Sequence, residues 1–340
     1  MSARRRRLRA VVLAVLTVLL PLSVLLGTAL GASKIPLGTS VRALFAPSSL
    51  TDLEQAQRLI VRELRLPRVV LACLVGAALA LSGAMMQGLF RNPLASPYVL
   101  GVASGASTGA ALVIVSGWQP VPFLPLGAFA GGLLAVLVVY GLASRRDHRT
   151  SVFTLILGGV AVGALFSAVT SFLIFLSSSG ERMSDVVFWI MGGLGRANWT
   201  SVSILAAVFV PCVLGAHLAS RDLNALGLGE EGAFHLGVSP EWTKRWALVV
   251  ATAATSASVA FAGTIGFVGL VIPHIVRLLL GPDHRVVIPA STLAGAVFLL
   301  WADLAARTVM RPVELPVGII TAFLGAPFFL YLLRTRGSRL

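Results

Sequence analysis

The sequence predicts an all-α polytopic membrane protein, a single bundle of about ten spans with both termini cytoplasmic. Two observations carry that prediction. The 340 residues are 57% hydrophobic and only 12% charged, against about 25% charged in soluble domains, and the mean hydropathy is +0.91. Ten stretches approach or exceed the roughly 20 apolar residues that a span requires: 10–31, 67–90, 98–116, 122–143, 152–176, 200–219, 245–263, 266–281, 288–306 and 317–334. The longest polar stretch, 32–68, is too short for a soluble domain, so 1–340 reads as one transmembrane domain.

The elements follow in order. Arg4–Arg7 and Arg9 form a basic tail, 1–9, before an apolar run from Ala10 to Leu30. A secretory signal is the competing reading, but its apolar core spans about 7–15 residues; the longer run reads as a first span, kinked at Pro21. The outer loop, 32–66, carries LTDLEQAQRLIVREL (50–64), helical in spacing, with Leu53, Ala56, Leu59 and Ile60 on one face. Thr51 and Glu54 are placed for a capping box, and this helix is expected to lie flat on the outer surface. GAALALSGA (76–84) and GGVAVGAL (158–165) have the small-xxx-small spacing that lets helices approach closely in lipid. Trp118, Trp199, Trp242 and Trp246 fall near span ends, where indole rings favour the interface. Gly263 and Gly266 suit the sharp reversal between the seventh and eighth spans, and Gly281-Pro282 ends the eighth.

Charge orients the chain. Inside segments hold fifteen of the 27 Lys and Arg residues, including Arg145, Arg146, Arg149, Arg221, Lys244, Arg245, Arg285, Arg334, Arg336 and Arg339. That agrees with the positive-inside rule, so the net charge of +14 reports topology rather than nucleic-acid binding. Six basic residues in 32–68 work against the rule: Lys34, Arg42, Arg58, Arg62, Arg65 and Arg68. Snorkelling anchors and an acidic docking partner are both open readings. Cys73 and Cys212 sit inside spans without a CxxC or Cys/His cluster, so they read as small hydrophobes and imply no metal site.

Transport needs an energy source. A P-loop lysine directly follows glycine, whereas Lys34 and Lys244 follow Ser33 and Thr243; no nucleotide-binding motif is present and the chain is not expected to be an enzyme. Ion-coupled carriers place carboxylates near the midplane. Here only Asp303 lies inside a span, near its outer end, and Glu314 just precedes another. An ion-gradient carrier with discontinuous helices remains the alternative. A partner that hydrolyses ATP fits better. Its seat is the loop within 220–243, with short helices expected at 222–226 and 229–236, separated by Gly227 and Gly229 and exposing Leu223, Leu226, Phe234, Leu236 and Val238. Ser239, Pro240 and Glu241 read as the N-cap, N1 and N2 of the next span. Lipid-surface helices are rich in Lys and Arg. This loop has Asp222, Glu230 and Glu231 against Arg221, which favours a protein groove.

Four stretches carry a resemblance: LPRVVLACLVGAALALSGAMMQGLFRNPLASPYVLGVASGAS (66–107), LNALGLGEEGAFHLGVS (223–239), AGTIGFVGLVIPHIVRLLLGPDHR (262–285) and ADLAARTVMRPVELPVGIITAFLGAPFFLYLL (302–333). Together they resemble the FecCD-type permeases, the membrane subunits of binding-protein-dependent ABC importers for iron-siderophores, haem and vitamin B12. The resemblance implies ten helices per subunit in the bacterial inner membrane, a second permease copy or paralogue, two ATPase subunits and an extracytoplasmic substrate-binding protein. An iron-siderophore is the expected cargo, with vitamin B12 and haem as close competitors; no cofactor is implied.

The resemblance also places sites. Leu223, Leu226, Gly229, Glu230, Glu231, Phe234 and Leu236 would form the ATPase coupling loop. Arg65, Arg68 and Arg307 would meet glutamates of the binding protein, through the bidentate fork that suits carboxylate, with Arg311 a weaker candidate. The fifth span would line the path through Gly159, Gly163, Ser167, Thr170 and Ser171. Its start departs from the family pattern, with Val152 and Phe153 where small hydroxyl residues are expected. Asn92 and Pro93 would keep a non-helical link between spans two and three, and Gly101, Pro273 and Pro316 are read as structural. His274, lacking a second His or Cys nearby, reads as structural too.

Overall fold

The computed structural model describes residues 3–31, 35–45, 52–117, 123–144, 150–177 and 179–336. Every predicted span falls on a helix. In chain order these are α1 (Ala3–Ala29), α4 (Leu66–Leu89), α5 (Val102–Ser116), α6 (Phe123–Ala143), α7 (Val152–Leu176), α9 (Trp199–Leu226), α11 (Pro240–Ala262), α12 (Val268–Leu280), α13 (His284–Ala306) and α14 (Val317–Arg336). Between them lie α2 (Leu37–Phe45), α3 (Asp52–Leu59), α8 (Gly180–Met191) and α10 (Glu230–His235). Among the described residues, seven helices have the length and apolarity to cross a membrane, while α5, α12 and α14 are shorter apolar helices.

The centre of the bundle is α4, in which every residue from Val75 to Leu89 is buried. Its small residues create that position. A Cβ on Gly76 would stand 2.2 Å from the Gly295 carbonyl oxygen of α13, and one on Gly83 only 1.7 Å from that of Gly269 in α12. Glycine therefore sets the helix separation, and the backbones pack directly. Around this core, α11 is also largely buried, whereas α1 and α7 present most of their apolar surface outward.

Several expectations are corrected. The 50–64 segment is not a separate surface helix: α3 continues through a π-helical stretch, Ile60–Arg65, straight into α4. Its buried side is Val61, covered by Ile35 and Ala43, with Ile60 packed alongside; Leu59 is exposed. Thr51 and the side chains of Leu53 and Glu54 lie outside the described residues, as do Lys34, Trp118, Arg145, Arg146, Arg149 and Arg339. The α11–α12 reversal uses left-handed conformations at Gly263 (φ 66°) and Phe267 (φ 67°), not at Gly266. Helix α8 has no counterpart among the predicted elements.

Candidate functional site

At the inner face, α9 does not stop at 219. It runs to Leu226, so the first expected short helix is the end of a span. Leu223 and Leu226 are consequently buried, contrary to the expectation that they are exposed. Gly229, at φ 103°, turns the chain into α10. There Ala233 is buried while Leu228, Phe234 and Leu236 are 71%, 71% and 63% exposed, an apolar edge left uncovered among the described residues. Glu231 is exposed; Glu230 is engaged within the chain by Lys244 at 2.8 Å, so it is not simply free for a partner. Ser239 caps α11 as predicted, its hydroxyl accepting the Trp242 amide, and Pro240 occupies the first helical position. A polar knot fixes the frame behind α10. Asn224 Nδ2 donates to Asp283 Oδ1 at 2.8 Å, and Arg9 reaches Asp283 Oδ2 at 3.4 Å and the Leu280 carbonyl at 3.0 Å. Partial burial works against the Asp283 carboxylate. Hydrogen bonds from Asn224 and the Arg285 amide, with Arg9 and Arg285 nearby, outweigh it and hold the group below its ordinary range.

At the outer face, the predicted arginines are drawn together but turned inward. Arg65 is buried and donates to the Thr28 and Ala29 carbonyls at 3.1 and 2.7 Å. Arg307, also buried, donates to the Gly27 carbonyl at 3.0 Å and meets Asp303 Oδ2 at 3.1 Å. The last turn of α1 leaves carbonyls without helical partners, and these two guanidinium groups cap them. Arg68 binds the fully buried Asp303 at 2.9 Å and the half-exposed Glu314 at 2.8 Å. Three exposed forks were expected; the structure instead leaves Arg311 exposed and Arg68 on the edge of the cluster. Beside it a cavity of about 590 Å³ opens between α5, α8 and the loop before α14, lined by Arg68, Arg182, Trp189, Arg196, Phe261 and Glu314.

Along the flank, α7 has two unlike sides. Gly159 packs so closely that a Cβ would stand 2.1 Å from the Val99 carbonyl oxygen, and Gly163 faces Gly101 and Ser104. Thr170 is buried, its hydroxyl 2.7 Å from that of Thr108. These three expected path residues therefore bind α7 to its own bundle. Ser167 and Ser171 are exposed at the margin of that packed stripe, and Leu157, Val160, Phe172 and Phe175 are exposed further round the helix. At the inner start of the helix Ser151 caps the Thr154 amide, and Phe153 is 74% exposed.

The residues read as structural are placed as follows. Asn92 Oδ1 accepts the Leu94 amide at 2.9 Å, the Pro93 carbonyl lies 3.3 Å from His274 Nδ1, and Gly101 (φ 77°) begins α5. Pro273 lies within α12, and the Pro316 carbonyl accepts the Ile319 amide as α14 begins.

The model of the FecCD transport family matches residues 18–335. The chain belongs to that family. The cobalamin import system permease protein BtuC of Halobacterium salinarum is 49% identical to it over 302 residues, 86% of this chain and 78% of that protein. The hemin transport system permease protein HmuU of Yersinia pestis is 44% identical over 283 residues, 81% of this chain and 84% of that one. Among solved structures, an inward-facing metal-chelate type ABC transporter superposes with a TM-score of 0.82 at 33% identity, covering 95% of this chain and 98% of that chain.

As a FecCD permease the chain is the multi-pass, non-catalytic membrane component of an ABC importer, a setting that implies an ATPase and a binding protein. Within the FecCD frame, sequence reasoning missed α8 and exposed Leu228. Both had signals. Ser179 followed by Gly-Glu-Arg is a capping pattern, and Ser179 Oγ accepts the Arg182 amide. Leu228, between two glycines, continues no helical period and so escaped a pattern search.

Proposed function

We propose that this permease carries a bulky metal chelate across the cytoplasmic membrane, with both termini inside, beside a second permease chain and on two ATPase subunits. The observation that carries the reading is the uncovered apolar edge of α10. Leu228, Phe234 and Leu236 stand out from the loop, whereas Leu223 and Leu226 are buried. Closing the ATPase dimer would move α10 and, through it, the spans. On the opposite face a binding protein docks through carboxylates onto Arg311 and the exposed edge of Arg68, while Arg65 and Arg307 hold the platform. The exposed side of α7, uncharged and bearing Ser167 and Ser171, faces the second permease and lines the shared path.

The cargo is a metal chelate, and the named relatives, for cobalamin and hemin, favour a metal tetrapyrrole over the iron-siderophore expected from sequence alone. An uncharged wall suits such cargo, which is passed along rather than held. The test is reconstitution in liposomes with the cognate ATPase and binding protein, comparing cobalamin, haemin and a ferric siderophore. Uptake of a tetrapyrrole that requires ATP is the expected result. Uptake driven by an ion gradient without the ATPase would end the reading.

A further inference from the structure

Lys244 is an odd residue in its place. It lies in the second turn of α11, near the positive end of the helix dipole, where a cation is disfavoured, and it is only 3% exposed. A lysine buried there needs compensation from every side. Its three donors each find an oxygen: Glu241 Oε1 at 2.7 Å, Glu230 Oε1 at 2.8 Å and the Thr150 carbonyl at 3.1 Å. The other Glu241 oxygen accepts the Thr150 amide at 2.8 Å. The three oxygens belong to three separate elements: α10, α11 and the residue adjoining Ser151, the cap of α7.

We propose that Lys244 is the joint through which a displacement of α10 reaches the path helix α7. The inference rests on the reading of α10 as the ATPase seat. The route is short and polar: from Glu230 to the ammonium group, from there to Thr150, and from Thr150 through one peptide bond to the cap of α7. Glu230 is the changeable arm. Its side chain is 48% exposed, against 25% for Glu241, and it reaches Lys244 from a helix anchored chiefly by buried Ala233. Glu241 and Thr150 hold each other as well as the lysine, so that arm stays closed when α10 moves. Lys244 is thus a positioning residue, acting on the path only through α7.

A staple that merely stabilised the inner face would have the same contacts, so the test reads coupling rather than stability. The full importer is reconstituted with its ATPase and binding protein, and chelate delivered per ATP hydrolysed is measured for wild type, Glu230→Gln and Lys244→Met. In Glu230→Gln the importer should assemble and hydrolyse ATP normally while the transport ratio falls about fivefold or more, the low end of coupling between sites. Lys244→Met should show the same loss. An unchanged ratio in assembled Glu230→Gln would overturn the joint, and so would failure of that variant to bind the ATPase, because Glu230 would then belong to the seat. Phe234→Asp tests the seat separately: if it leaves the ATPase bound, the parent reading fails whatever Glu230→Gln does.

Discussion

Asp303 is the place where the outer face can be broken most cleanly. Its carboxylate is fully buried and shared by Arg68 at 2.9 Å and Arg307 at 3.1 Å, with Arg65 held close by on the α1 carbonyls. Asp303→Asn keeps the shape and removes the charge. Arg68 would then keep the half-exposed Glu314, while the buried Arg307 would lose the carboxylate it meets. Each contact is worth up to about 4 kcal/mol at an effective dielectric constant near 20, but the ions also lost their water on burial. Measured losses from removing one member of a buried pair run at about 3–5 kcal/mol. Reversible unfolding of the permease in mixed micelles should therefore show Asp303→Asn destabilised by about 3 kcal/mol or more. In a double-mutant cycle with Arg307→Gln, the pair should lose less than the sum, with a coupling of about 1 kcal/mol or more. A single-variant loss under about 1 kcal/mol, the range of surface pairs, would refute the picture of a buried clamp and return these arginines to the docking surface.

Two residues of the coupling loop should separate by burial. Phe234→Asp, at an exposed position, should leave stability within about 0.5 kcal/mol and abolish co-purification with the ATPase, whereas Leu226→Asp should prevent folding, read as loss of a monodisperse peak. Gly83→Ala should cost about 3 kcal/mol or more by overpacking, since its Cβ would overlap the Gly269 carbonyl; wild-type thermal stability would contradict the helix spacing. For Asp283 the folded-state pKa is depressed below the ordinary 3.8. Its contribution is therefore complete above that value and lost as pH falls through the lower folded value. Wild type should unfold at higher temperature than Asp283→Asn at pH 7, and the gap should narrow as the pH is taken below 3.8; a constant gap would contradict it.

The spans were legible because lipid makes a simple demand, a run of apolar residues long enough to cross. Where that demand lapses, local pattern misled. Leu223 and Leu226 look like exposed anchors because they follow Arg221 and Asp222; only tertiary packing of α9 shows that the helix simply continues. Arg65 and Arg307 were located but their direction was not, because the carbonyls that claim them lie nearly 40 and 280 residues away in sequence, at the end of α1. Gly159 and Gly163 share one fault. Small residues suit an open path and a tight helix contact equally, and spacing cannot choose. Ser167, four residues after Gly163 and three before Thr170, shares their side of the helix by spacing, yet it is exposed where Thr170 is buried.

The two sides of α7 suggest how motion at its inner end is used. Its contact with the Pro97–Leu100 turn and α5 includes Gly159, Gly163 and the Thr108–Thr170 pair, a seam of small residues that brings the backbones close. The α4 core, by contrast, is close-packed and resists continuous deformation. On the proposed reading, a push at Ser151 would be relieved by tilting α7 along the seam. Thr170 sits 19 residues further on, about 28 Å at 1.5 Å per residue, and makes the polar tie near the outer end. It would then serve as the pivot: a shift of about 3 Å at Ser151 would become a tilt of roughly 6° over that lever. Thr170→Val preserves volume and removes one hydroxyl, while Thr108 keeps its bond to the Phe166 carbonyl. It should lower chelate carried per ATP and leave ATPase binding untouched. If the ratio is unchanged, α7 moves as a rigid part of the bundle and the seam is only packing.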